Sequence, residues 1–532
     1  MRNSKVHLPN GLIYSVTPIY GGVLFKGHDM GLHHHSLPPG WSIVINTEKP
    51  TDEVSSRTTS FTLPNDSSSS PSSTPCSRNP VPGNEEPPRR FVKPTLNRDS
   101  LFISSISLPS NDDYKPAASP SRQIAMMLWA TLWWYFHLEE PNSQVLTRQS
   151  SLTPKFGRPK GDWRVYIRQE GIFNGRNILQ KMERMGLIAS EDSSVGLDGC
   201  WGNLFVSRRS FWQLDPRIFL FTLRPTINAG LYGSIQQTPP LQPMGKERYS
   251  SHAGILAESS AILSNPFHSS SYLPTYYPPP PPQYVFTDGI VHPLRPKAPH
   301  QGEVFYTRYV PSVGKTLSFR VPKLPSKKLP LLDSFLNHRR KSSSMTSLSA
   351  VETLAISSDD SRERAFESDV DVLHRWMNKP RVSSAWGLSG PLSTQERFLE
   401  QQLCDRHLFP AFGCWDNKPF GYFEIYWLKE DKLSRLLPSP ADNWDRGIRA
   451  LIGQDDCTGE HLTQVWLNAL VHYCWLADNR THTVLSEPRV DNTEFINYLQ
   501  KAGFYQEGEF TLPHKQCALM KVRRDSWETV VI

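Results

Sequence analysis

The sequence predicts an α+β protein with more than one folded domain, and its length, patterning and composition each support this fold class. At 532 residues the chain is too long for one ordinary hydrophobic core. Segments in which apolar and polar residues alternate, as in strands, stand beside segments with helical spacing of apolar residues. The 46 prolines are clustered and hydrophobic residues make up only 38% of the chain, which indicates folded domains separated by coreless inserts.

An N-terminal α+β domain is predicted for residues 1–49 and 119–234. Residues 5–48 alternate between apolar and polar positions and contain Gly and Pro turns, which predicts antiparallel strands. The segment SRQIAMMLWATLWWYFHLEE is apolar on nearly every face and predicts a deeply buried helix with Ser121 as its cap. A second, amphipathic helix is predicted over Gly175–Met185, and strand-like runs follow it.

Low-complexity segments interrupt the chain. Residues 50–118 and 338–365 have too little apolar content for a core, so both are predicted to be disordered inserts. Residues 235–300 are predicted to be a Pro-rich linker, in which the run YYPPPPPQY (Tyr276–Tyr284) imposes polyproline II. That run is a stiff spacer or, alternatively, a weak ligand for an aromatic-lined groove. Residues 301–337 are predicted to form connecting strands.

The last folded domain is predicted for residues 366–525. A helix in Asp371–Trp386 is expected to break before Pro380, because the residue before a proline resists the α-helical region. Ser393, followed three residues later by Glu396, predicts a capping box at the start of the next helix.

Strands and a long helix are predicted further along this domain. Strands over Phe412–Trp415 and Phe420–Trp427 are expected to be joined by a turn at residues 416–419. Residues 450–476 predict a strand, a loop and a long helix.

The segment Ser486–Phe504 predicts a short helix between two strands. Asp491 or Asn492 can act as its N-cap, and Glu494 places a carboxylate near the positive helix end. Gly503 is expected to end the helix.

The composition excludes several classes of function. A formal net charge of +7 is small for this length, and the basic residues form no aromatic-interleaved stripe of the kind that nucleic acids require. Seven widely spaced cysteines without a CxxC pair argue against zinc ribbons and disulfide scaffolds and favour a reducing compartment. No window approaches about 18 unbroken apolar residues and the N-terminus has no signal-peptide pattern, so we expect no membrane partner and a cytoplasmic location.

Four segments of the last domain resemble one branch of a known enzyme family. They are SEPRVDNTEFINYLQKAGF (Ser486–Phe504), GCWDNKPFGYFEIYWLKED (Gly413–Asp431), DRGIRALIG (Asp445–Gly453) and LPHKQCALM (Leu512–Met520). They resemble the siderophore-biosynthesis branch of the GNAT acyltransferases, which comprises bacterial hydroxylysine acyltransferases and fungal hydroxyornithine acyltransferases. The resemblance runs from Asp371 to Val522, less than a third of the chain.

The resemblance implies both a fold and a reaction. It implies a GNAT fold for the last domain, with a mixed central sheet flanked by helices, and it suggests that the N-terminal domain is a degenerate acyltransferase-like unit. The implied reaction is acyl-CoA-dependent N-acylation of N5-hydroxy-L-ornithine, by direct transfer through a tetrahedral intermediate and without a metal. The match points to the hydroxyornithine acetyltransferases of ferricrocin-type siderophores. The ending Val530-Val531-Ile532 lacks the Ser-Lys-Leu type of peroxisomal address, which favours acetyl-CoA over anhydromevalonyl-CoA and the cytoplasm over the peroxisome.

The resemblance also implies an acyl-CoA site. In the GNAT fold the loop before the long helix presents backbone N–H groups to the CoA pyrophosphate, because a helix N-terminus favours anions. The residues matched to the acyl-CoA site are Thr458, Gly459, Glu460 and His461 at the loop and helix start, and Asn492 and Tyr498 on the last helix.

The catalytic assignment departs from the bacterial pattern. The residues implied as catalytic are Asp445, Glu487 and His514, and those implied as substrate-binding are Arg449, Lys515 and Trp427. Bacterial relatives carry a His where this sequence has Arg449, and a guanidinium does not deprotonate near neutral pH, so Arg449 is no general base. It suits a substrate carboxylate or phosphate, or a structural ion pair. A hydroxylamine nitrogen is already neutral at pH 7, so positioning and oxyanion stabilisation can supply most of the rate, with Glu487 or His514 removing the proton late.

Three alternatives stay open at this point. The chain can be an anhydromevalonyl-CoA:hydroxyornithine transacylase, or another GNAT enzyme that acts on an unhydroxylated amine or on hydroxylysine. It can also be a non-enzymatic adaptor that keeps a dead acyltransferase fold and binds partners through its polyproline and Ser-rich segments. An amine substrate needs a base to deprotonate its ammonium, and an adaptor does not bind acetyl-CoA.

Overall fold

The computed structural model describes residues 4–27, 37–48, 89–107, 120–174, 176–190, 203–216, 282–325 and 367–531. The chain divides into two compact units, Met1–Asn228 (the N-terminal unit) and Ala229–Ile532 (the C-terminal unit). None of the described helices is both long enough and apolar enough to span a membrane.

The described part of the N-terminal unit is built on one nine-stranded sheet. Its strands are β1 (Ser4–His7), β2 (Ile13–Ile19), β3 (Gly22–Gly27), β4 (Gly40–Thr47), β5 (Arg89–Arg90), β6 (Asp99–Ser107), β7 (Arg164–Ile167), β8 (Ala189–Ser190) and β9 (Leu204–Ser207). Their order is β1-β2-β3-β4-β6-β7-β9-β8, with β5 paired to β4. The antiparallel strands predicted over residues 5–48 are confirmed. The helices are α1 (Pro120–Phe136), α2 (Arg176–Arg184) and α3 (Arg208–Gln213).

The deeply buried helix predicted after residue 120 is α1. Its apolar residues are buried from Ile124 onward, and its two buried hydroxyl groups have partners inside the unit. Thr131 Oγ1 accepts from Trp41 Nε1 at 3.1 Å, and Tyr135 donates its hydroxyl proton to Asp99 Oδ2 at 2.6 Å. A helix that is apolar all round needs such partners for its few polar groups, because an unpaired buried hydroxyl is costly. The helix already includes Pro120, so Ser121 lies inside the first turn and is not the cap.

The disordered insert predicted over residues 50–118 is wrong for residues 89–107. β6 lies in the middle of the sheet, antiparallel to β4 and parallel to β7, and its Leu101 and Ile103 are fully buried. The apolar run is short, and its burial depends on strands that lie far away in sequence, so local composition does not reveal it. Residues 50–88 and 108–118 lie outside the described residues.

The strand-like runs predicted after residue 200 are only partly strands. β9 ends at Ser207, whose side chain caps α3 by accepting a hydrogen bond from Ser210 N at 3.2 Å. The buried side chains of Phe211 and Trp212 therefore belong to a helix and not to a strand. Serine is a favoured N-cap residue, and here this preference starts a helix where the aromatic run alone predicted a strand.

The C-terminal unit is built on an eight-stranded sheet and a separate hairpin among the described residues. The hairpin is β10 (Tyr284–Thr287) with β11 (Ile290–Pro293), and the sheet strands are β12 (Val304–Val310), β13 (Lys315–Arg320), β14 (Leu408–Trp415), β15 (Lys418–Trp427), β16 (Arg446–Ile452), β17 (Thr483–Ser486), β18 (Tyr505–Leu512) and β19 (Lys515–Arg523). The sheet order is β12-β13-β14-β15-β16-β17-β19-β18. β16 and β17 are parallel and the other neighbours are antiparallel, so the predicted mixed sheet is confirmed.

The main sheet of the C-terminal unit begins before residue 366, where the last folded domain was predicted to start. β12 and β13, predicted as connecting strands, form one edge of the main sheet, and β13 pairs with β14 from Leu317↔Trp415 to Arg320↔Phe412. The intervening low-complexity sequence hides this continuity, and residues 326–366, with the insert predicted there, lie outside the described residues. The Pro-rich linker predicted to residue 300 is also too long, because β10 and β11 lie within it. Most of the polyproline run lies outside the described residues.

Five helices pack on the sheet of the C-terminal unit in the described part of the chain: α4 (Asp369–Met377), α5 (Pro380–Trp386), α6 (Leu392–Cys404), α7 (Glu460–Ala477) and α8 (Thr493–Lys501). The break before Pro380 is confirmed, and Pro380 begins α5. The capping box predicted at Ser393 is wrong, because α6 begins one residue earlier with Pro391 as its N-cap. A capping box does form in α4, between Ser368 and Asp371.

The predicted hairpin between β14 and β15 is confirmed, with a tighter turn. Asp416 and Asn417 form the turn with φ of 45° and 67°. Two central residues with positive φ match the twist of the flanking strands, and Asp and Asn tolerate that conformation.

The parallel strands β16 and β17 separate after two residue pairs. They pair at Arg446↔Val484 and Gly447↔Leu485, after which β16 continues to Ile452. The chain leaves β16 toward α7 and leaves β17 toward α8. These two helices lie side by side: Trp466 stacks on Phe495 with 6.3 Å between ring centroids. We call the gap between these diverging strands, bordered by the starts of α7 and α8, the crevice; the carboxyl ends of parallel strands are the usual ligand position in such sheets.

Candidate active site

One end of the crevice is the loop before α7. Asp455–Cys457 form a short 3-10 turn, and Thr458 Oγ1 donates to Asp455 O at 2.8 Å. Gly459 is the N-cap of α7, and Thr458 to His461 are all exposed. The first backbone N–H groups of a helix have no partner within the helix and carry its positive end, which in general favours an anion. The four residues matched to the acyl-CoA site lie on one exposed turn at the start of α7, and their role in binding stays a prediction.

Three basic side chains that were not predicted as site residues lie beside this loop: Lys379, Arg381 and Lys501. Asp455 accepts from Lys379 Nζ at 2.7 Å and from Arg381 at 2.6 Å. Lys379 also donates to Gly453 O at 2.8 Å, where the chain leaves β16. Glu460, at the start of α7, is paired with Lys501 of α8. These cations offset the acidic groups of the loop, which otherwise repel a phosphate.

α8 lines the other side of this end of the crevice. Asn492 is the N-cap as predicted, and its Oδ1 accepts from Phe495 N at 3.2 Å. Tyr498 is one turn on, but its hydroxyl donates to Glu494 Oε1 at 2.6 Å, and that hydrogen bond raises its pKa to about 12. Gln464 of α7 donates to Tyr498 O at 2.8 Å. Asn492 is exposed at the crevice, whereas the Tyr498 hydroxyl is engaged along its own helix.

Arg449 is the centre of a charged cluster at the point where the strands separate. Its Nε donates to Glu487 Oε1 at 2.5 Å, its Nη2 to Asp431 at 3.1 Å and its Nη1 to Glu424 at 3.4 Å. Its guanidinium also stacks on the Tyr426 ring, 4.1 Å from the centroid. Burial alone lowers the pKa of an arginine, but the surrounding carboxylates raise that of Arg449, so it stays protonated. We call Arg449, Glu487, Asp431, Glu424 and Tyr426 the Arg449 cluster.

The side chain of Glu487, which follows β17, bridges the gap between β17 and β16. It is buried, and besides the bond from Arg449 it accepts from the Tyr426 hydroxyl at 2.7 Å. The Tyr426 ring fits there because residue 447 is a glycine: a Cβ on Gly447 would lie 1.9 Å from the ring carbon Cζ. Glu487 and Arg449, both predicted as site residues, therefore contact each other directly. Tyr426, which was not predicted, also binds Glu487.

Behind the Arg449 cluster, Asp431 is held by His407. The imidazole is 2.6 Å from Asp405 and 3.4 Å from Asp431. Burial works against the charge on His407, but its hydrogen bonds to the two carboxylates raise its pKa to about 9. Burial likewise works against the Asp431 carboxylate, and the bonds and charges of His407 and Arg449 lower its pKa to about 2. Asp431 is thus an anion held between two cations at neutral pH.

Two predicted site residues lie toward the other end of β16. Trp427 pairs with Arg446 across the sheet, and its ring contacts the guanidinium groups of Arg446 at 4.0 Å and Arg295 at 4.4 Å. Asp445 is buried before the strand, and burial raises its pKa. Four residues of strand separate Asp445 from Arg449, about 13 Å. The structure does not bring Asp445 or Trp427 together with the Arg449 cluster.

His514 and Lys515 lie at the turn between β18 and β19. This turn runs beside the segment after Glu487: Ala518 N donates to Pro488 O at 2.9 Å and Val490 N donates to Gln516 O at 3.1 Å. His514 is exposed there. The turn lies beside the crevice, and a role for His514 or Lys515 stays a prediction.

Most of the Arg449 cluster escaped the sequence reasoning. Glu424, Tyr426 and Asp431 all lie in the quoted segment GYFEIYWLKED, where the acidic residue Glu424 interrupts a buried strand. A carboxylate within an apolar strand is costly to bury unless it has a partner, and that was the available signal. No group of His, Cys, Asp or Glu suited to a metal ion occurs among the described residues.

A family model described as an acetyltransferase (GNAT) domain matches residues 365–512. The chain is 38% identical to the N5-hydroxyornithine acetylase of Beauveria bassiana over 557 residues, which cover 97% of this chain and 100% of the relative. It is 34% identical to the N(6)-hydroxylysine O-acetyltransferase of Escherichia coli over 245 residues, 46% of this chain and 62% of the relative. It is 32% identical to the N(5)-hydroxyornithine:cis-anhydromevalonyl coenzyme A transacylase of B. bassiana over 234 residues, 44% of this chain and 42% of the relative. The first match extends over nearly the whole chain, and the other two over less than half of it.

Proposed function

The chain belongs to the acyltransferase family of the fungal N5-hydroxyornithine acetylase, with a GNAT domain, and we propose that it transfers an acetyl group from acetyl-CoA to the hydroxylamine nitrogen of N5-hydroxy-L-ornithine. GNAT acyltransferases use acyl-CoA. The observation that carries the proposal is the crevice between β16 and β17. It has an anion-receptive helix start at one end and the Arg449 cluster where the strands separate.

The proposed pose places the CoA pyrophosphate at the loop of Thr458–His461, with Asn492 beside the pantetheine arm. The helix start supplies backbone donors, and the open space around Gly459 leaves room for a ligand: nothing lies within 4 Å of where its Cβ would be. The thioester then lies between the separating strands, next to Arg449 and Glu487. Charge exposed in a crevice walled by protein acts more strongly than it does in water.

The proposed chemistry is direct transfer. The nitrogen lone pair attacks the thioester carbon, a C–N bond forms, and the carbonyl π electrons move to oxygen. Glu487 then takes the N–H proton of the tetrahedral intermediate, the carbonyl reforms and the C–S bond breaks. The released CoA thiolate takes a proton from solvent, and Glu487 later returns its own proton to solvent. Both Glu487 oxygens already accept hydrogen bonds, so Glu487 suits a late role, when the attacking nitrogen has become cationic and strongly acidic.

Acetyl-CoA is the donor that we propose over anhydromevalonyl-CoA. The acetylase matches nearly the whole chain, whereas the relative named for anhydromevalonyl coenzyme A matches 44% of it. We also propose that the protein acts in the cytoplasm, which imaging of a fluorescent fusion would test.

A thiol-release assay on the full chain tests the proposal. Acetyl-CoA and a larger, branched unsaturated acyl-CoA are each paired with N5-hydroxyornithine, ornithine and N6-hydroxylysine. We expect the highest kcat/KM for acetyl-CoA with N5-hydroxyornithine. A preference for the larger donor would reassign the enzyme as a transacylase, and activity on ornithine that falls steeply below pH 7 would reassign it as an amine acetyltransferase. If there is no turnover and calorimetry detects no acetyl-CoA binding, the chain would instead be a non-enzymatic adaptor.

A further inference from the structure

We propose that Arg449 is a catalytic residue whose free N–H donates to the oxyanion of the tetrahedral intermediate. This inference rests on the proposed function, because it assigns a step within the same reaction. It replaces the substrate-binding role that the sequence suggested for Arg449, since three carboxylates already surround its charge.

Arg449 lies where the two parallel strands separate. It lies on β16 two residues beyond Gly447, the last residue paired with β17, and it meets Glu487 from the other side of the crevice. A group at the point where two parallel strands separate faces the place where ligands bind in such sheets.

The number of its donors is the second argument. A guanidinium has five N–H groups. One on Nε goes to Glu487, two on Nη2 face the two oxygens of Asp431 at 3.1 and 3.2 Å, and Nη1 makes one long contact of 3.4 Å to Glu424. Within the described residues, one N–H of Nη1 therefore has no acceptor.

The exposure of the guanidinium is the third argument. The Arg449 side chain is 27% exposed, whereas those of Glu424, Asp431 and Glu487 are 6%, 9% and 5% exposed. The cation is thus the part of the cluster that a bound thioester can reach. Its partners fix its orientation before the substrate arrives, and a donor fixed in advance needs no reorganisation during the reaction.

The mixed charge of the cluster suits the intermediate. After the attack, and before any proton moves, the oxygen carries a negative charge and the nitrogen a positive charge. Arg449 faces the oxygen and Glu487 faces the nitrogen, so one ion pair serves both charges of a zwitterion. Arginine can hold this role at any working pH because it does not deprotonate.

The test compares Arg449→Lys with the wild type on acetyl-, fluoroacetyl- and difluoroacetyl-CoA. We expect the variant to lose roughly 10²- to 10³-fold in kcat with acetyl-CoA, the usual loss for one oxyanion donor, with little change in either KM. Fluorine stabilises the oxyanion without help from the protein, so the loss should shrink by about tenfold with difluoroacetyl-CoA. An equal loss with all three donors would mean that Arg449 only positions its neighbours, and no loss would leave the oxyanion to backbone N–H groups of β16. Either result overturns the proposal.

Two further variants make the test robust. Arg375→Lys is the matched control, since Arg375 of α4 is exposed and paired with Glu367 outside the Arg449 cluster, and it should match the wild type with every donor. If Arg449→Lys does not fold, the double variant Arg449→Gln with Asp431→Asn removes one charge of each sign and should show the same donor dependence. Failure of the proposed function looks different, because the wild type itself would then release no thiol with any donor.

Discussion

Within the described residues the two units of the chain follow one strand plan, but they differ in the segment that follows the parallel pair of strands. In the N-terminal unit β4 and β6 precede α1, and β7, α2, β8 and β9 follow, with the sheet order β4-β6-β7-β9-β8. In the C-terminal unit β15 and β16 precede α7, and β17, α8, β18 and β19 follow, with the sheet order β15-β16-β17-β19-β18. In each, a long helix connects a parallel pair. This shared plan supports the suggestion that the N-terminal unit is acyltransferase-like.

The segment after the parallel pair makes the difference. In the N-terminal unit a 3-10 turn, Gly171–Phe173, lies against β6 where the crevice would open. Phe173 is fully buried, and a Cβ on Gly171 would lie 2.3 Å from Ile103 O. In the N-terminal unit, the residues two positions after the last parallel pair are Ile103 and Gln169. At the corresponding positions the C-terminal unit has Arg449 and Glu487. The shared topology is therefore not enough for the acyl-CoA site that we propose; the residues just past the paired strands distinguish the two units.

The largest expected effect is at Glu487. Glu487→Gln should lower kcat on N5-hydroxyornithine by roughly 10²- to 10⁴-fold, the range for a proton-transfer group, with acyl-CoA affinity nearly unchanged. Steady-state kinetics from pH 6 to 9 and calorimetry measure both quantities. The reciprocal change, Gln169→Glu in the N-terminal unit, should leave kcat as it is. A kcat of Glu487→Gln that equals the wild type would make Glu487 structural and His514 the next residue to test.

Substitution of Gly447 should mainly lower activity, whereas substitution of Gly171 should mainly lower stability. Gly447→Ala pushes Tyr426 away from Glu487 and should lower kcat by up to about 10²-fold, since catalysis is sensitive to displacements of about 1 Å. Gly171→Ala, at a φ of 58°, should destabilise the N-terminal unit by about 1–3 kcal/mol and leave the kcat of the folded enzyme unchanged. Denaturant unfolding and steady-state kinetics on both variants test this. Equal losses of activity would contradict the division of roles between the units.

A moderate effect is expected at the phosphate end. Gly459→Val should weaken acyl-CoA binding by about tenfold, because a β-branched side chain blocks backbone approach to the pyrophosphate. The melting temperature should fall only slightly: nothing lies within 4 Å of the added Cβ, and Val is a poorer N-cap than Gly but removes no side-chain cap hydrogen bond. Gly508→Val, which also projects into open space but on β18, is the control. Unchanged affinity on a folded Gly459→Val sample would remove the loop from the acyl-CoA site.

The smallest effect concerns pH. The folded state raises the pKa of His407 from 6.5 to about 9, so it favours the protonated imidazole. That stabilisation is complete below about pH 6.5 and is lost as the pH rises through about 9. Urea unfolding at pH 6.5 and pH 9.5 should show the loss in the transition of the C-terminal unit, and His407→Gln should flatten it. The same slope in the variant would place the titrating group elsewhere.

Local signals made some of the fold predictable. The helix from Thr493 to Lys501, with its Asn492 cap and its end at Gly503, follows from side chains within one or two turns of each other. The turn at Asp416-Asn417 and the break before Pro380 are equally local. Each rests on a backbone preference of the residue itself, which the sequence displays directly.

Features that depend on distant partners were not predictable from the sequence. β6 is central because β4 and β7 flank it, and neither is its neighbour in sequence. β12 and β13 join a sheet whose next strand begins at Leu408, across a low-complexity stretch. The Arg449 cluster likewise draws on β15, on the segment after it and on the segment after β17. Sequence reasoning found both members of the Arg449–Glu487 pair but not that they bind each other.

The fit of the Tyr426 ring over Gly447 also constrains how this enzyme can change. The ring and the missing side chain share one volume, so position 447 can gain a side chain only if position 426 loses its ring. Losing that ring also removes the phenol that holds Glu487, so neither single substitution leaves the site intact. The two positions therefore form one mutational unit, and an aligned set of relatives should show them changing together or not at all.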